Sequence, residues 1–181
     1  MAERIEGSSD FRASREGREP LEYSIYRLLK KYQITVTTAE SATGGMIAST
    51  LINVPGMSEF FQEGYVTYSD AAKVKMIHVS KETIDTYGVV SAQTAAAMAD
   101  GAAETARTAA ALSVTGVAGP DGGTEECPVG LVFIGCRLNG KTVTERHVFP
   151  GGRMEVRRAA AERALSLLGE RIVAQYEGDG K

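Results

Sequence analysis

The feature that most constrains this sequence is a β-branched run that leads through a short polar turn into a helical pattern. Residues 34–38 are all β-branched, which restricts χ1 and favours a strand. After Gly44, apolar residues at helical spacing predict a helix over 45–53. The chain therefore turns from strand to helix between these segments, and Ser41 lies in the turn.

A hydroxyl in such a turn is well placed for chemistry. The first amides of a helix have no intrahelical partners and carry partial positive charge, so they can hold a phosphate or a developing oxyanion. The alternative interpretation is that Ser41 or Thr43 simply caps the helix. The local pattern leaves both interpretations open.

The rest of the chain alternates between helical and extended patterns. Helices are predicted over 21–32, 70–77, 80–87, 91–108 and 153–176, and strands over 64–69, 111–116, 131–138 and 141–149. Asn139-Gly140 predicts a hairpin between the last two strands, since this pair readily adopts the positive φ that the turn requires. The sequence therefore predicts an α/β fold with a mixed sheet covered by helices on both faces.

Length and charge limit the class of protein. The 181 residues fit one domain over 21–176, and residues 1–20, with nine charged side chains and few apolar ones, predict a flexible tail. A net charge of -3 without a basic stripe argues against a nucleic-acid partner. Because the chain has neither an apolar run of about 18 residues nor a hydrophobic signal segment, we expect a cytoplasmic protein without membrane contact.

The two cysteines and two histidines do not form a metal-binding pattern. Cys127, Cys136, His78 and His147 lack the spacing that metal ligands show. A cytoplasmic chain of this length needs no disulfide to fold, so we expect both thiols to be reduced. The sequence therefore predicts no metal.

Tyr68 and Lys73 flank a second strand-to-helix turn, with Ser69 or Asp70 as the predicted N-cap. A serine hydroxyl is a poor nucleophile until a base takes its proton, and histidine has no motif here. A lysine whose pKa is lowered by burial, with or without a phenol as relay, is the remaining arrangement. Taken singly, Ser41 could be a cap, Tyr68 a half-buried strand residue and Lys73 a surface lysine.

A glycine-rich segment, 116–124, follows the predicted strand 111–116. Four glycines and a proline exclude regular structure there. Loops at the ends of buried strands are where α/β proteins place ligands, although the segment could also be a mere connection. A second open question is the helix 153–176, whose five arginines we interpret as a solvated face.

Seven sequence blocks resemble, in order and spacing, the nicotinamide-nucleotide amidase family, which is the family of the C-terminal domain of CinA-type competence/damage-inducible proteins. The blocks are Thr-Ala-Glu-Ser-Ala-Thr-Gly-Gly (38–45), Val-Pro-Gly-Met-Ser-Glu-Phe-Phe (54–61), Gly-Tyr-Val-Thr-Tyr-Ser-Asp-Ala-Ala-Lys (64–73), Gly-Val-Val-Ser (88–91), Val-Thr-Gly-Val-Ala-Gly-Pro-Asp-Gly-Gly (114–123), Pro-Val-Gly (128–130) and Phe-Pro-Gly-Gly-Arg (149–153). The resemblance covers about residues 21–170.

The resemblance implies a three-layer α/β/α sandwich that hydrolyses the carboxamide of nicotinamide mononucleotide to nicotinate mononucleotide and ammonia. It also implies a catalytic set of Ser41, Tyr68 and Lys73, without metal or redox cofactor, and a homo-oligomer. We expect amides around Thr43, Gly44 and Gly45 to stabilise the oxyanion. The predicted substrate contacts in and beside the glycine-rich segment are Thr115, Gly116, Gly119, Gly122, Gly123 and Arg153.

Two departures from the family pattern and two alternative functions remain. The family usually has Cys where this chain has Ala42, and often Asp where it has Gly152, which leaves the role of Arg153 open. Whether Lys73 or Tyr68 is the primary base is also open. The alternatives to the amidase are a non-catalytic binding or assembly domain and an amidase for another nucleotide or small amide.

Overall fold

A five-stranded mixed sheet forms the middle layer of the protein, in the computed structural model that describes residues 19–178. The strands are β1 (Val36–Glu40), β2 (Tyr65–Val66), β3 (Ala110–Gly116), β4 (Leu131–Leu138) and β5 (Lys141–Val148), in the order β2-β1-β3-β4-β5. β1 is parallel to β2 and β3, whereas β4 is antiparallel to β3 and β5. The predicted mixed α/β sheet is confirmed.

Six helices within residues 19–178 cover this sheet. They are α1 (Leu21–Tyr32), α2 (Met46–Leu51), α3 (Asp70–Ile77), α4 (Lys81–Tyr87), α5 (Ala92–Ala106) and α6 (Arg153–Tyr176), and a 3-10 turn spans Met57–Glu59. None of the helices in this part of the chain is long and apolar enough to cross a bilayer. The predicted helices therefore all form, with boundaries shifted by a few residues.

The fold has three layers, because two separate hydrophobic cores join helices to the two faces of the sheet. One core joins α1, α2 and α6 to one face of the sheet, through residues such as Ile25, Ile47 and Leu165. The other joins α3 and α5 to the opposite face, through residues such as Ile77 and Met98. Since α2 follows β1 and α3 follows β2, the chain leaves these neighbouring parallel strands towards opposite layers. The crevice at such a point is where open α/β sheets bind ligands.

Small side chains bring α5 close to its neighbour α3. Eight of residues 92–107 are alanine, and a Cβ added at Gly101 would lie 1.8 Å from the carbonyl oxygen of Ile77. No Cβ fits at that distance, so only glycine permits this contact between the two helices. The end of α3 is thereby fixed against the second core, which holds the helix that carries Lys73.

The predicted boundaries of β1 and β2 are wrong, whereas the predicted hairpin turn is confirmed. β1 extends through Glu40, whose carbonyl oxygen still accepts from the amide of Thr67, at 2.9 Å. The strand predicted over 64–69 is only two residues long, because the Thr67 carbonyl oxygen accepts from the Lys73 side chain instead of continuing a ladder. Asn139 and Gly140 have φ of 48° and 79°, as the hairpin turn requires. Of the flexible tail predicted over 1–20, residues 1–18 lie outside the described residues.

Four of the five arginines of α6 hydrogen-bond to other groups of the protein, whereas Arg158 is exposed, so the interpretation as a solvated face is wrong for these four. Arg163 donates two hydrogen bonds to Glu145 of β5, at 2.7 and 2.6 Å, and two to Glu170, at 2.7 and 2.8 Å. Burial raises the pKa of Glu145, but hydrogen bonds from Arg163 and His147 outweigh it and hold that pKa at about 2. Arginines 153, 157 and 171 also donate to acceptors in other elements. These contacts tie α6 to the sheet edge and to the loops above it.

Candidate active site

Ser41 and Lys73 meet at the carboxyl end of β1. Ser41 directly follows this strand, is 9% exposed, and its amide donates to the carbonyl oxygen of Val114 in β3, at 2.9 Å. The Nζ of Lys73 lies 3.4 Å from the Oγ of Ser41 and 3.0 Å from the carbonyl oxygen of Thr67. The amine and the hydroxyl are therefore in direct contact, although 32 residues separate them in the sequence.

Lys73 is completely buried, so the interpretation of a surface lysine is wrong. The nearest carboxylate is that of Asp70, with its Oδ1 at 3.7 Å, and the Asp70 side chain is 58% exposed. Burial lowers the pKa of Lys73 below its usual value of 10.5, and Asp70 partly opposes this shift. Desolvation disfavours the ammonium form, so the site shifts Lys73 towards the neutral amine, which can accept a proton.

The start of α3 fixes the position of this lysine. Ser69 is the N-cap, in extended conformation, and its Oγ accepts from the amide of Ala72 at 3.1 Å. The cap thus resolves the choice between Ser69 and Asp70. Lys73 then lies in the first turn of α3, where side chains point back towards the helix N-terminus. That direction brings its amine to the end of β2 and to Ser41.

Tyr68 lies at the rim of the site and does not contact the other two predicted catalytic side chains. It is 64% exposed, and among the described residues its hydroxyl makes no hydrogen bond with Ser41 or Lys73. The hydroxyl instead accepts from Nη2 of Arg153 at 3.1 Å, while Nη1 of Arg153 donates to the Gly119 carbonyl oxygen at 2.7 Å. Arg153 therefore links the phenol to the glycine-rich loop.

A carboxylate, not a hydroxyl, caps α2. Glu40 is fully buried, and its side chain accepts from the amides of Gly45, Ile47 and Ala48 at 2.9, 3.0 and 2.8 Å. The N-cap residue itself is Gly45, at φ 93°, without a side-chain cap. The interpretation of Ser41 or Thr43 as the cap is therefore wrong. Sequence reasoning missed Glu40, because it ends β1 five residues before the N-cap, outside the positions that helix-start signals cover.

Only two amides of the turn remain for a ligand. The Gly44 amide donates to the Ser41 carbonyl oxygen at 3.1 Å, and the Gly45 amide donates to Glu40. Those of Ala42 and Thr43 donate to no acceptor within residues 19–178. Of the amides expected to stabilise an oxyanion, those of Gly44 and Gly45 are therefore occupied, and that of Thr43 is unpaired together with that of Ala42.

The glycine-rich loop begins beside Ser41, and its residues differ in how accessible they are to a ligand. The Thr115 hydroxyl donates to the Val89 carbonyl oxygen at 2.8 Å and is buried, so it is occupied within the protein. Gly116 ends β3, paired with Val132 of β4. Gly119 contacts Arg153, whereas Gly122 and Gly123 are exposed. The structure therefore places Gly119 and Arg153 near Tyr68, and the outer glycines of the loop towards solvent.

A cavity of about 440 Å³ lies elsewhere, between α1, α2 and α6. It contains none of the predicted site residues. Its lining consists of Leu21, Glu22, Met46, Ser49, Thr50, Arg158, Ala161, Glu162 and Leu165. The buried contact of Ser41 with Lys73 lies outside this cavity, so the candidate site is defined by that contact and not by the cavity.

A family model and individual relatives place this chain in the same family. The sequence model of the CinA C-terminal domain matches residues 18–172. A CinA-like protein from Kosmotoga olearia is 48% identical over 152 residues, which cover 84% of this chain and 37% of that relative. The chain thus spans little more than a third of the length of this curated relative.

Solved structures agree with the sequence match. A crystal structure of a competence-damaged protein (CinA) superfamily protein from Klebsiella pneumoniae has a TM-score of 0.82 and 33% identity, and the match covers 84% of this chain and 96% of that one. A competence/damage inducible protein from Agrobacterium tumefaciens has a TM-score of 0.78 and 40% identity, with 83% and 94% covered. This chain therefore belongs to the CinA C-terminal domain family.

Proposed function

We propose that this chain is an amidohydrolase that converts nicotinamide mononucleotide and water to nicotinate mononucleotide and ammonia. The observation that supports this most is the contact of 3.4 Å between the Ser41 hydroxyl and the completely buried amine of Lys73. Burying an amine costs free energy, so a buried lysine is a candidate for a functional role, and desolvation shifts its pKa in the direction that a general base needs. A binding or assembly domain has no need of this pair.

In the proposed mechanism Lys73 is the base and Tyr68 is not. The neutral amine has two N–H bonds and one lone pair. When it donates to the Thr67 carbonyl oxygen, its lone pair can accept the proton of the Ser41 hydroxyl. Ser41 Oγ then attacks the carboxamide carbon, and Lys73 returns the proton to the departing ammonia. Water hydrolyses the acyl-enzyme, with Lys73 again as base.

The carboxamide and the phosphate of nicotinamide mononucleotide each have a suitable group at this site. A cationic pyridinium ring withdraws electrons and makes the carboxamide more electrophilic than a benzamide, so a lysine-activated serine suffices. The amides of Ala42 and Thr43 can stabilise the oxyanion that forms. Arg153 has five N–H donors and uses two of its nitrogens on Gly119 and Tyr68, so further donors remain for the phosphate of the nucleotide.

Ammonia release from nicotinamide mononucleotide tests this function, with Ser41→Ala as the blank. We expect steady release by the wild-type protein and none above background by the variant. Equal, slow release by both proteins would refute the amidase. A panel of other nucleotide and small amides separates an amidase of different specificity, whereas no release from any amide would favour a binding or assembly domain.

The pH dependence of kcat provides a prediction at Asp70. Only the neutral form of Lys73 accepts a proton, so the rate should rise with pH through the pKa of this lysine, below 10.5. Asp70 favours the ammonium form and therefore raises that pKa. We expect Asp70→Asn to shift the rising limb of the kcat profile to lower pH. A shift to higher pH, or none, would contradict the role of Lys73 as base.

A further inference from the structure

Arg157 of α6 donates to two carbonyl oxygens of the turn that follows Ser41. Its Nε donates to the Ala42 carbonyl oxygen at 3.1 Å, and its Nη2 to that of Thr43 at 2.8 Å. Gly44 leaves space for this guanidinium, because an added Cβ would lie only 3.1 Å from Nη2. Its φ of 60° also favours glycine at this position. The arginine is 115 and 114 residues from these two partners in the sequence. No local sequence pattern indicates the contact.

The two carbonyl groups are connected to the two free amides of the turn. The Ala42 carbonyl and the Thr43 N–H belong to one peptide group, so the bond from Nε polarises this N–H directly. The Thr43 carbonyl shares a peptide group with the Gly44 N–H, which donates to the Ser41 carbonyl at 3.1 Å. That last carbonyl shares its peptide group with the Ala42 N–H. Both free amides therefore lie at the ends of hydrogen-bond chains that start at one cation, and such chains polarise cooperatively.

We infer that Arg157 is a positioning residue for acyl transfer at Ser41, which fixes and polarises the Ala42 and Thr43 amides as oxyanion donors. This inference rests on the proposed function, since it assigns the donors to the same reaction. Arg157 touches neither Ser41 Oγ nor Lys73 Nζ in the structure, so it acts through the turn. Removing one oxyanion donor costs about 10²–10³ in kcat. Loss of polarisation at two donors that remain in place should cost less, about 10- to 100-fold.

The test compares Arg157→Met with Arg158→Met in two assays. Arg158, the next residue of α6, is exposed, lines the cavity between α1, α2 and α6 and hydrogen-bonds to none of the turn carbonyls, so it is the matched control. The first assay is ammonia release from nicotinamide mononucleotide. The second is the rate at which a fluorophosphonate labels Ser41, where a P–O bond forms at Oγ, fluoride leaves and Lys73 takes the proton. The second reaction needs the oxyanion donors but not the nucleotide, so it separates failure of this inference from failure of the proposed substrate.

For Arg157→Met we expect kcat and the labelling rate to fall about 10- to 100-fold, with KM and the pH midpoint of kcat unchanged. Arg158→Met should match the wild type in every assay. Arg157→Lys keeps the charge but lacks the planar fork that donates to both carbonyl oxygens, so it should fall between them, and it decides the matter if the methionine variant does not fold. Wild-type labelling by Arg157→Met, or a raised KM at unchanged kcat as expected of a phosphate contact, would overturn the inference.

Discussion

Replacing Lys73 with methionine should abolish ammonia release, with a loss of about 10⁴-fold or more in kcat, while the protein stays folded. Methionine fills a similar volume in a position that is fully buried, so the packing around α3 is retained. The variant lacks a proton acceptor for the Ser41 hydroxyl, and no other base among residues 19–178 hydrogen-bonds to that oxygen. Loss of a base that acts together with its nucleophile removes most of the chemistry of the pair.

Lys75→Met is the control for this prediction. Lys75 lies two residues further along α3 and is exposed, so the same change of side chain occurs on the same helix without touching Ser41. We expect wild-type kcat and an unchanged melting temperature. If Lys73→Met retained more than about a tenth of the wild-type kcat, the buried amine would not be the base and Tyr68 would have to be reconsidered.

Glu40→Ala should reduce the free energy of unfolding by about 3 kcal/mol or more, because three amides at the start of α2 lose their acceptor and each unpaired buried group costs about 1–3 kcal/mol. For a chain of this size the melting temperature should fall by about 6–12 °C. Glu40→Gln keeps an oxygen acceptor without the charge, so its loss should be smaller. Denaturant unfolding with an unchanged slope measures both values.

An exposed glutamate serves as the comparison. Glu59 lies in the 3-10 turn on the surface, and Glu59→Ala should change stability by no more than about 0.5 kcal/mol. Wild-type stability of Glu40→Ala would mean that water replaces the carboxylate at no cost. Activity gives a second readout, since the turn that Glu40 fixes also carries Ser41.

The layers of the fold could be predicted from the sequence, and so could the positions of Ser41 and Lys73 in two turns, but not their contact. Periodicity and the Asn139-Gly140 signal predicted the mixed sheet, because these patterns reflect which faces are buried and where positive φ is needed. Strand-to-helix turns located Ser41 and Lys73. Their contact could be suggested only by the scarcity of other bases and by the family resemblance, since no local pattern specifies a separation of 3.4 Å.

Three aspects of the site could not be predicted from local patterns. Tyr68 appeared equivalent to Lys73 in sequence, but a side chain in the turn before α3 can face solvent while one in its first turn is buried. The partners of the Gly44 and Gly45 amides, the Ser41 carbonyl oxygen and the Glu40 side chain, depend on how the turn folds and on the conformation of Glu40. The contacts of Arg157 depend on where α6 lies against the turn, which is a property of the packed helices rather than of the arginine-rich pattern.

The opposite directions in which α2 and α3 leave the sheet have a mechanical consequence. Ser41, the proposed nucleophile, lies in the turn before the helix of one layer, and Lys73, the proposed base, lies on the helix of the other, so β1 and β2 set the separation of the two side chains. We therefore expect a change of side-chain volume beneath either helix to alter this separation. Under the proposed mechanism, substitutions in either core would then change the rate without touching Ser41 or Lys73.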